Sequence, residues 1–244
     1  MHAALKVVEH RPWPLPREPW VMEQTWHDLL FAHWPLSPET LRPLVPAQLP
    51  LDTYDGQCWV GVVPFWMSGV RPRGIPPIAG LSRFPELNVR TYVTLAGKPG
   101  VYFFSLDAGS RMAVKAARFL FHLPYFYADI KADVVSDEVI YRSARRRTRA
   151  EFRARYGPIS DVRLGEPATL AHWLTERYCP YTIHNEEVYR CDIHHAPWPL
   201  QDGSAQIPLN TMATAAGITL PDAPPLLHFS KQQDVLVWPL RRLG

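Results

Sequence analysis

Cysteine is scarce in this chain of 244 residues: there are three, Cys58, Cys179 and Cys191, and no two stand at Cys-x-x-Cys spacing. That number and spacing exclude a disulfide framework and a zinc ribbon, and predict buried thiols in a reducing compartment. A glycine-rich phosphate loop, a serine nucleophile elbow and a His-Glu-x-x-His helix are all missing, and with them the most recognisable routes to phosphate binding, acyl transfer and zinc hydrolysis. His194 and His195 are adjacent, so on a strand they face opposite ways and do not chelate one ion together, and neither a metal nor another cofactor is expected. No apolar run approaches a membrane span, and the first twenty residues lack the apolar core of a signal peptide, so a soluble cytoplasmic protein without membrane contact is expected. Charge of one sign is also lacking. The net charge is only +3, from 26 Lys and Arg against 23 Asp and Glu. That balance gives no reason to expect nucleic acid as a partner.

Proline, by contrast, is abundant at 26 residues and clusters in segments such as Arg11 to Pro16 and Pro221 to Pro225. Such punctuation favours many short strands over long helices. No flexible linker divides the chain, which reads as a proline-rich N-terminal extension over 1–20 and one domain over 21–244. Ser37-Pro38-Glu39 carries the start signals of a short helix through Leu41 and Leu44. Gln57 to Met67 reads as a strand placed at an edge or a bulge by Pro64. Pro72 to Pro85 reads as a loop of the length used for lids or contact surfaces. A second helix is predicted over Pro167 to Tyr178, with strands over Val188 to His195 and Gln233 to Leu240. The arginines at 142, 145, 146, 147, 149, 153 and 155 fall on two predicted strands and read as a solvated outer face.

The segment from Phe84 to Ile130 is the most legible. Glu86, Asn88, Arg90, Tyr92 and Thr94 alternate with Leu87, Val89, Thr91, Val93 and Leu95, the period of a strand with one polar and one apolar face. Ala96 to Gly100 reads as a turn, returning the chain through an almost wholly apolar strand, Val101 to Asp107, expected to be central and buried. A helix follows from Arg111 to Leu123. It is apolar on nearly three sides and is therefore expected to be sunk into the protein. Arg111, Lys115, Arg118 and His122 form one basic stripe, which must reach solvent or line a polar cavity, because unpaired buried cations are too costly. Pro124 ends the helix, and the next strand runs from Tyr125 to Val135.

Eight blocks carry a family resemblance: Trp26 to Leu36, Leu51 to Met67, Phe84 to Val93, Phe103 to Ala108, Leu123 to Tyr125, Leu174 to Tyr178, His195 to Leu200 and Leu227 to Trp238. In this order they resemble the YqjF-like family, domain of unknown function 2071. The order of elements is more distantly similar to acetoacetate decarboxylase. That second resemblance implies an α+β fold, an antiparallel β-barrel or cone with a few flanking helices, and self-association. It also implies a Schiff-base lysine just after the proline at 124, with a second lysine beside it. Here Tyr125 and Phe126 stand at those positions, and neither forms an imine. Glu86 matches the glutamate of that active site.

On this reading Glu86, Asn88 and Arg90 point into the barrel and meet Tyr125 and the basic stripe. Glu86 and Tyr125 are the candidate catalytic pair, and Asn88, Arg90, Lys115, Arg118 and His122 the candidate ligand-binding set. Such a cavity suits a small organic acid, a carboxylate or keto acid, bound without lysine chemistry. Two alternatives stand beside it: a lysine-independent lyase or isomerase acting on a keto acid with Glu86 as general base, and a structural module with a filled core. A Glu86–Arg118 pair in a dry interior is the mark of the last.

Overall fold

The computed structural model describes residues 2–78, 82–146 and 148–244. Its twelve strands form one sheet, built from β1 (Met22–Leu36), β2 (Cys58–Pro72), β3 (Phe84–Leu95), β4 (Lys98–Ala108), β5 (Tyr125–Val135), β6 (Glu138–Arg145), β7 (Glu151–Pro158), β8 (Arg163–Leu164), β9 (Pro180–His184), β10 (Glu187–His194), β11 (Pro199–Asn210) and β12 (Leu226–Leu243). Three short helices interrupt them: α1 (Pro38–Leu41), α2 (Arg111–Phe121) and α3 (Leu170–Thr175). The fold is thus α+β with strand dominating, as the sequence predicts.

The strand order is β3-β2-β1-β12-β10-β9-β4-β5-β6-β7-β11-β8, and two further pairings, β3–β4 and β12–β11, link strands distant in that order. The ladder therefore runs in circuits rather than ending at two free edges, which removes most of the unpaired backbone an open sheet would expose. Only the β4–β5 and β4–β9 pairs are parallel. With three neighbours along its length, β4 is central, as expected from its apolar run.

Strands of the first circuit bury both faces. Leu30, Ala32, Val60, Val62, Leu87 and Val89 join the main core, while Leu29, Phe31, Val63, Phe65, Met67 and Phe84 join a second cluster on the opposite face. On β3 the alternation resolves as predicted, with Leu87, Val89 and Val93 in the main core and Glu86, Asn88 and Arg90 on the other side.

Local signals account for several element ends. Ser37 and Ser110 cap α1 and α2 by accepting from the backbone N–H groups of Thr40 and Ala113 at 3.3 Å. His122 closes α2 in the left-handed conformation, with φ 51°. The β3–β4 connection is tighter than the sequence predicts. Ala96 and Gly97, at φ 50° and 71°, make a two-residue turn, and β4 already begins at Lys98. Gly100 is not a turn residue. A Cβ there would lie 2.3 Å from the Cys179 carbonyl oxygen, so glycine is what lets β4 approach β9. Pro64 is at no edge, since β2 pairs with both β1 and β3, but it falls opposite an irregular stretch of β1 between His27 and Ala32. The second predicted helix shrinks to six residues, α3. β11 is a strand the sequence reading did not identify, and residues 79–81 of the predicted 72–85 loop lie outside the described residues.

Two predictions need correction. The first is that α2 is sunk. Val114 is its one buried residue, and Met112, Phe119 and Leu120 are exposed, because the helix lies over the ends of β4 and β5 rather than between layers. The second concerns the arginine face of β6 and β7. Arg142, Arg153 and Arg155 do face solvent, but Arg145 points inward and grips Asp107 through three hydrogen bonds of 2.6–3.1 Å. Phe126 covers that pair, its ring centre 3.9 Å from the guanidinium carbon.

Candidate functional site

On the side of β3 away from the main core lies a cavity of about 320 Å³, bounded by β1, β2, β3, β4, the ends of β9, β10 and β12, and α2. The β2–β3 register arranges its wall in four rungs, Gly61 opposite Arg90, Val63 opposite Asn88, Phe65 opposite Glu86 and Met67 opposite Phe84. The wall thus passes from polar to apolar along one direction. Gly61 is the rung that makes room for a large side chain: a Cβ there would stand 2.9 Å from His33 Nε2 and 3.4 Å from Arg90 Cγ.

At the polar end two arginines converge. Arg90 donates weakly to the Tyr92 hydroxyl at 3.3 Å and the Leu174 carbonyl at 3.4 Å, and stacks 5.3 Å over Phe31. Arg177 is held more firmly. Its Nε donates to the Trp173 carbonyl and its Nη1 to Asp52, both at 2.6 Å, and the guanidinium lies over the rings of Trp173 and Tyr92. Burial lowers the Arg177 pKa, which Asp52 partly restores. Both side chains keep a buried nitrogen without a partner, Nε of Arg90 and Nη2 of Arg177. The indole nitrogens of Trp26 and Trp198, stacked beside one another on the same cavity, are also without partners, as is the Asn88 Oδ1. Buried donors are seldom left unsatisfied without reason. Among the described residues, the lining thus carries four unpartnered buried N–H sources against a single unpartnered buried acceptor.

Midway along the wall, the Tyr125 hydroxyl donates to Glu86 Oε2 at 2.8 Å. Burial raises the Glu86 carboxyl to a pKa of about 8, against a lowering by the Tyr125 hydrogen bond, and Asp107 adds to the rise. Burial, together with the adjacent Glu86, pushes the Tyr125 phenol well above its ordinary value. Tyr125 therefore stays protonated, and Glu86 is largely protonated at neutral pH. His195 adds a neutral imidazole to the lining. Its pKa is lowered by burial, and it stacks on Tyr178. Outside it, the N-terminal segment packs close: His10 Nε2 meets the His195 carbonyl at 2.8 Å, and Arg11 stacks 4.6 Å over Tyr178.

The structure thus brings together Glu86, Asn88, Arg90 and Tyr125, and leaves Lys115, Arg118 and His122 outside this cavity. The basic stripe of α2 faces solvent and the helix turns its alanines, Ala113, Ala116 and Ala117, toward the cavity. Lys115 is exposed. Arg118 donates from Nε to the Tyr125 carbonyl at 2.6 Å and, with His122, borders a separate hollow of about 260 Å³ against His184. His122 and His184 stack 3.8 Å apart. Glu86 and Arg118 are not paired, so the mark of a filled interior is missing. No lysine lines the main cavity among the described residues. Arg177 is the residue the sequence reading overlooked. It stands within the Leu174 to Tyr178 block, whose only signal was the family resemblance.

An α+β sheet of this order, with a cavity beneath a short helix, defines the class of acetoacetate decarboxylase-like folds. Acetoacetate decarboxylase itself superposes with a TM-score of 0.66 at 18% identity, over 93% of this chain and 90% of that one. The enduracididine biosynthesis enzyme MppR, solved with pyruvate, gives 0.63 at 10% identity, over 97% and 93% of the two chains. Within that class, the chain belongs to the DUF2071 family, an uncharacterized conserved protein, whose pattern matches residues 23–234. Its relative, the uncharacterized protein YqjF of Bacillus subtilis (strain 168), is 54% identical over 224 residues, covering 91% of this chain and 93% of that protein.

Proposed function

We propose that this protein binds a small organic anion, a carboxylate or keto acid, inside a barrel formed by the closed strand circuits, and does so without Schiff-base chemistry. The observation that carries this reading is the pair of guanidinium groups of half-buried Arg90 and buried Arg177, each with a buried N–H turned to no protein acceptor. Only Asp52 offsets them nearby, through Arg177, so a carboxylate completes both the charge and the hydrogen bonding. The pyruvate complex of MppR, a protein of similar fold, is consistent with an acid as the ligand.

Calorimetric titration with a panel of organic acids tests the proposal. At least one should bind saturably, and Arg90→Gln should weaken it about tenfold or more, the worth of a lost charge-assisted hydrogen bond. A panel without a single binder, or undiminished binding in Arg90→Gln, counts against it.

The hydrogen bond from Tyr125 to Glu86, whose pKa lies near 8, favours a second reading, a lysine-independent enzyme. With a keto acid anchored on the arginines, the ionised form of Glu86, populated toward pH 8, takes a proton from the carbon next to the keto group and returns one from solvent, while Arg90 or Tyr125 steadies the enolate. Loss of an NMR signal at that carbon's protons in D₂O, abolished in Glu86→Gln, is the expected outcome. Equal exchange in the variant removes Glu86 from the chemistry.

A further inference from the structure

The wall of the cavity also says which acids fit. We infer that its ligand is an amphipathic monocarboxylate of about ten non-hydrogen atoms, held carboxylate-inward with its apolar tail running to a mouth beneath α2. This rests on the carboxylate-binding reading above and narrows it.

With Arg177, Thr175 and His195 at most 5% exposed and Arg90 half-buried, the arginine end is the closed, blind end. At the other end Leu120 is 57% exposed while lining the same cavity, with exposed Pro72 and half-buried Met22 and Gln24 beside it. That end is therefore the mouth. Between them the rungs of β2 and β3 change from Gly61–Arg90 to Met67–Phe84, joined near the mouth by Phe121 and Val70. Arg71 reaches the mouth too, but its guanidinium is engaged by Glu23 and is not a second anchor.

Size points the same way. At about 30 Å³ per non-hydrogen atom, the share of a water molecule in the liquid, a cavity of about 320 Å³ takes about ten such atoms. A three- or four-carbon keto acid would leave the Met67–Phe84 end holding water against apolar walls, an arrangement that costs affinity. The alanine face of α2 supports a long tail as well. Ala113, Ala116 and Ala117 keep the space under the helix open where larger side chains would fill it.

The test is a titration series with butanoate, hexanoate, octanoate and decanoate, kept below their micellar range, alongside pyruvate and 1-octanol. Affinity should rise about fourfold per added methylene up to octanoate or decanoate and then level off, with 1-octanol at least tenfold weaker than octanoate. Ala117→Trp, which places an indole across the tail's path, should flatten the dependence on chain length; thermal melting confirms that this variant folds. Pyruvate or butanoate binding as tightly as octanoate overturns the inference and leaves the carboxylate reading standing. An unchanged chain-length slope in Ala117→Trp also overturns it. If 1-octanol equals octanoate, or no acid binds, the carboxylate reading falls and the inference with it.

Discussion

Glu86 is the buried carboxyl midway along the cavity wall, and its environment makes a prediction about stability that needs no ligand. In the folded protein its pKa is raised by burial to about 8 from an ordinary 4.5. The native state therefore favours the protonated form. The contribution of that proton is fully present below pH 4.5 and is lost as pH rises through 8. Glu86→Gln keeps the shape and cannot titrate, so its melting temperature should gain on the wild type as pH rises from 4.5 to 8 and run parallel above. The corresponding gain in stability should reach up to about 5 kcal/mol. A constant difference across that range would mean that Glu86 is ionised throughout. Of the site residues, those on β3 were legible in the sequence because a strand's period of two sorts Glu86, Asn88 and Arg90 onto one face. Arg177 was not legible. It lies just past the end of α3, where no period holds, and what turns it inward is Asp52 and Trp173, contacts that exist only in the folded chain.

At the scale of elements, the hairpin of β3 and β4 and the onset of β5 at Tyr125 follow directly from alternation and from Pro124. Helix α2 shows the opposite case. Its sequence is apolar enough for a buried helix, yet the fold buries only Val114 fully, half-buries Ala113 and Phe121, and sets the alanines over a cavity. Hydrophobic pattern states what a helix is able to bury, and tertiary packing decides what it does bury. The close pairing of β4 with β9 is another feature no local pattern encodes. It depends on Gly100 fitting against the Cys179 carbonyl, and Cys179 itself lines the cavity. Gly100→Ala should therefore destabilise the protein by about 3 kcal/mol, read from chemical denaturation, whereas Gly97→Ala at the exposed turn should cost less. Equal costs at the two positions would show that the β4–β9 contact is not tight.

At the scale of the whole molecule, the sheet's circuits hold together residues as distant as Arg90 and Arg177, and a cavity results that belongs to no single element. Among the described residues, no helix is long and apolar enough to cross a membrane. The α+β class was readable through the likeness of the order of strands and helices to acetoacetate decarboxylase. The direction of the cavity, blind at the arginines and open at α2, was not, because it depends on which strand ends meet. On the proposed function, the unpartnered buried N–H of Arg90 and that of Arg177 at the blind end receive a carboxylate. A crystal structure with 8-bromooctanoate tests it most directly, since the anomalous signal of bromine fixes the tail while the electron density shows the head. The account predicts the carboxylate within hydrogen-bonding distance of Arg90 Nε and Arg177 Nη2, with bromine near Leu120 and Met67. A reversed ligand, or one bound elsewhere with the arginines still unpartnered, would contradict it.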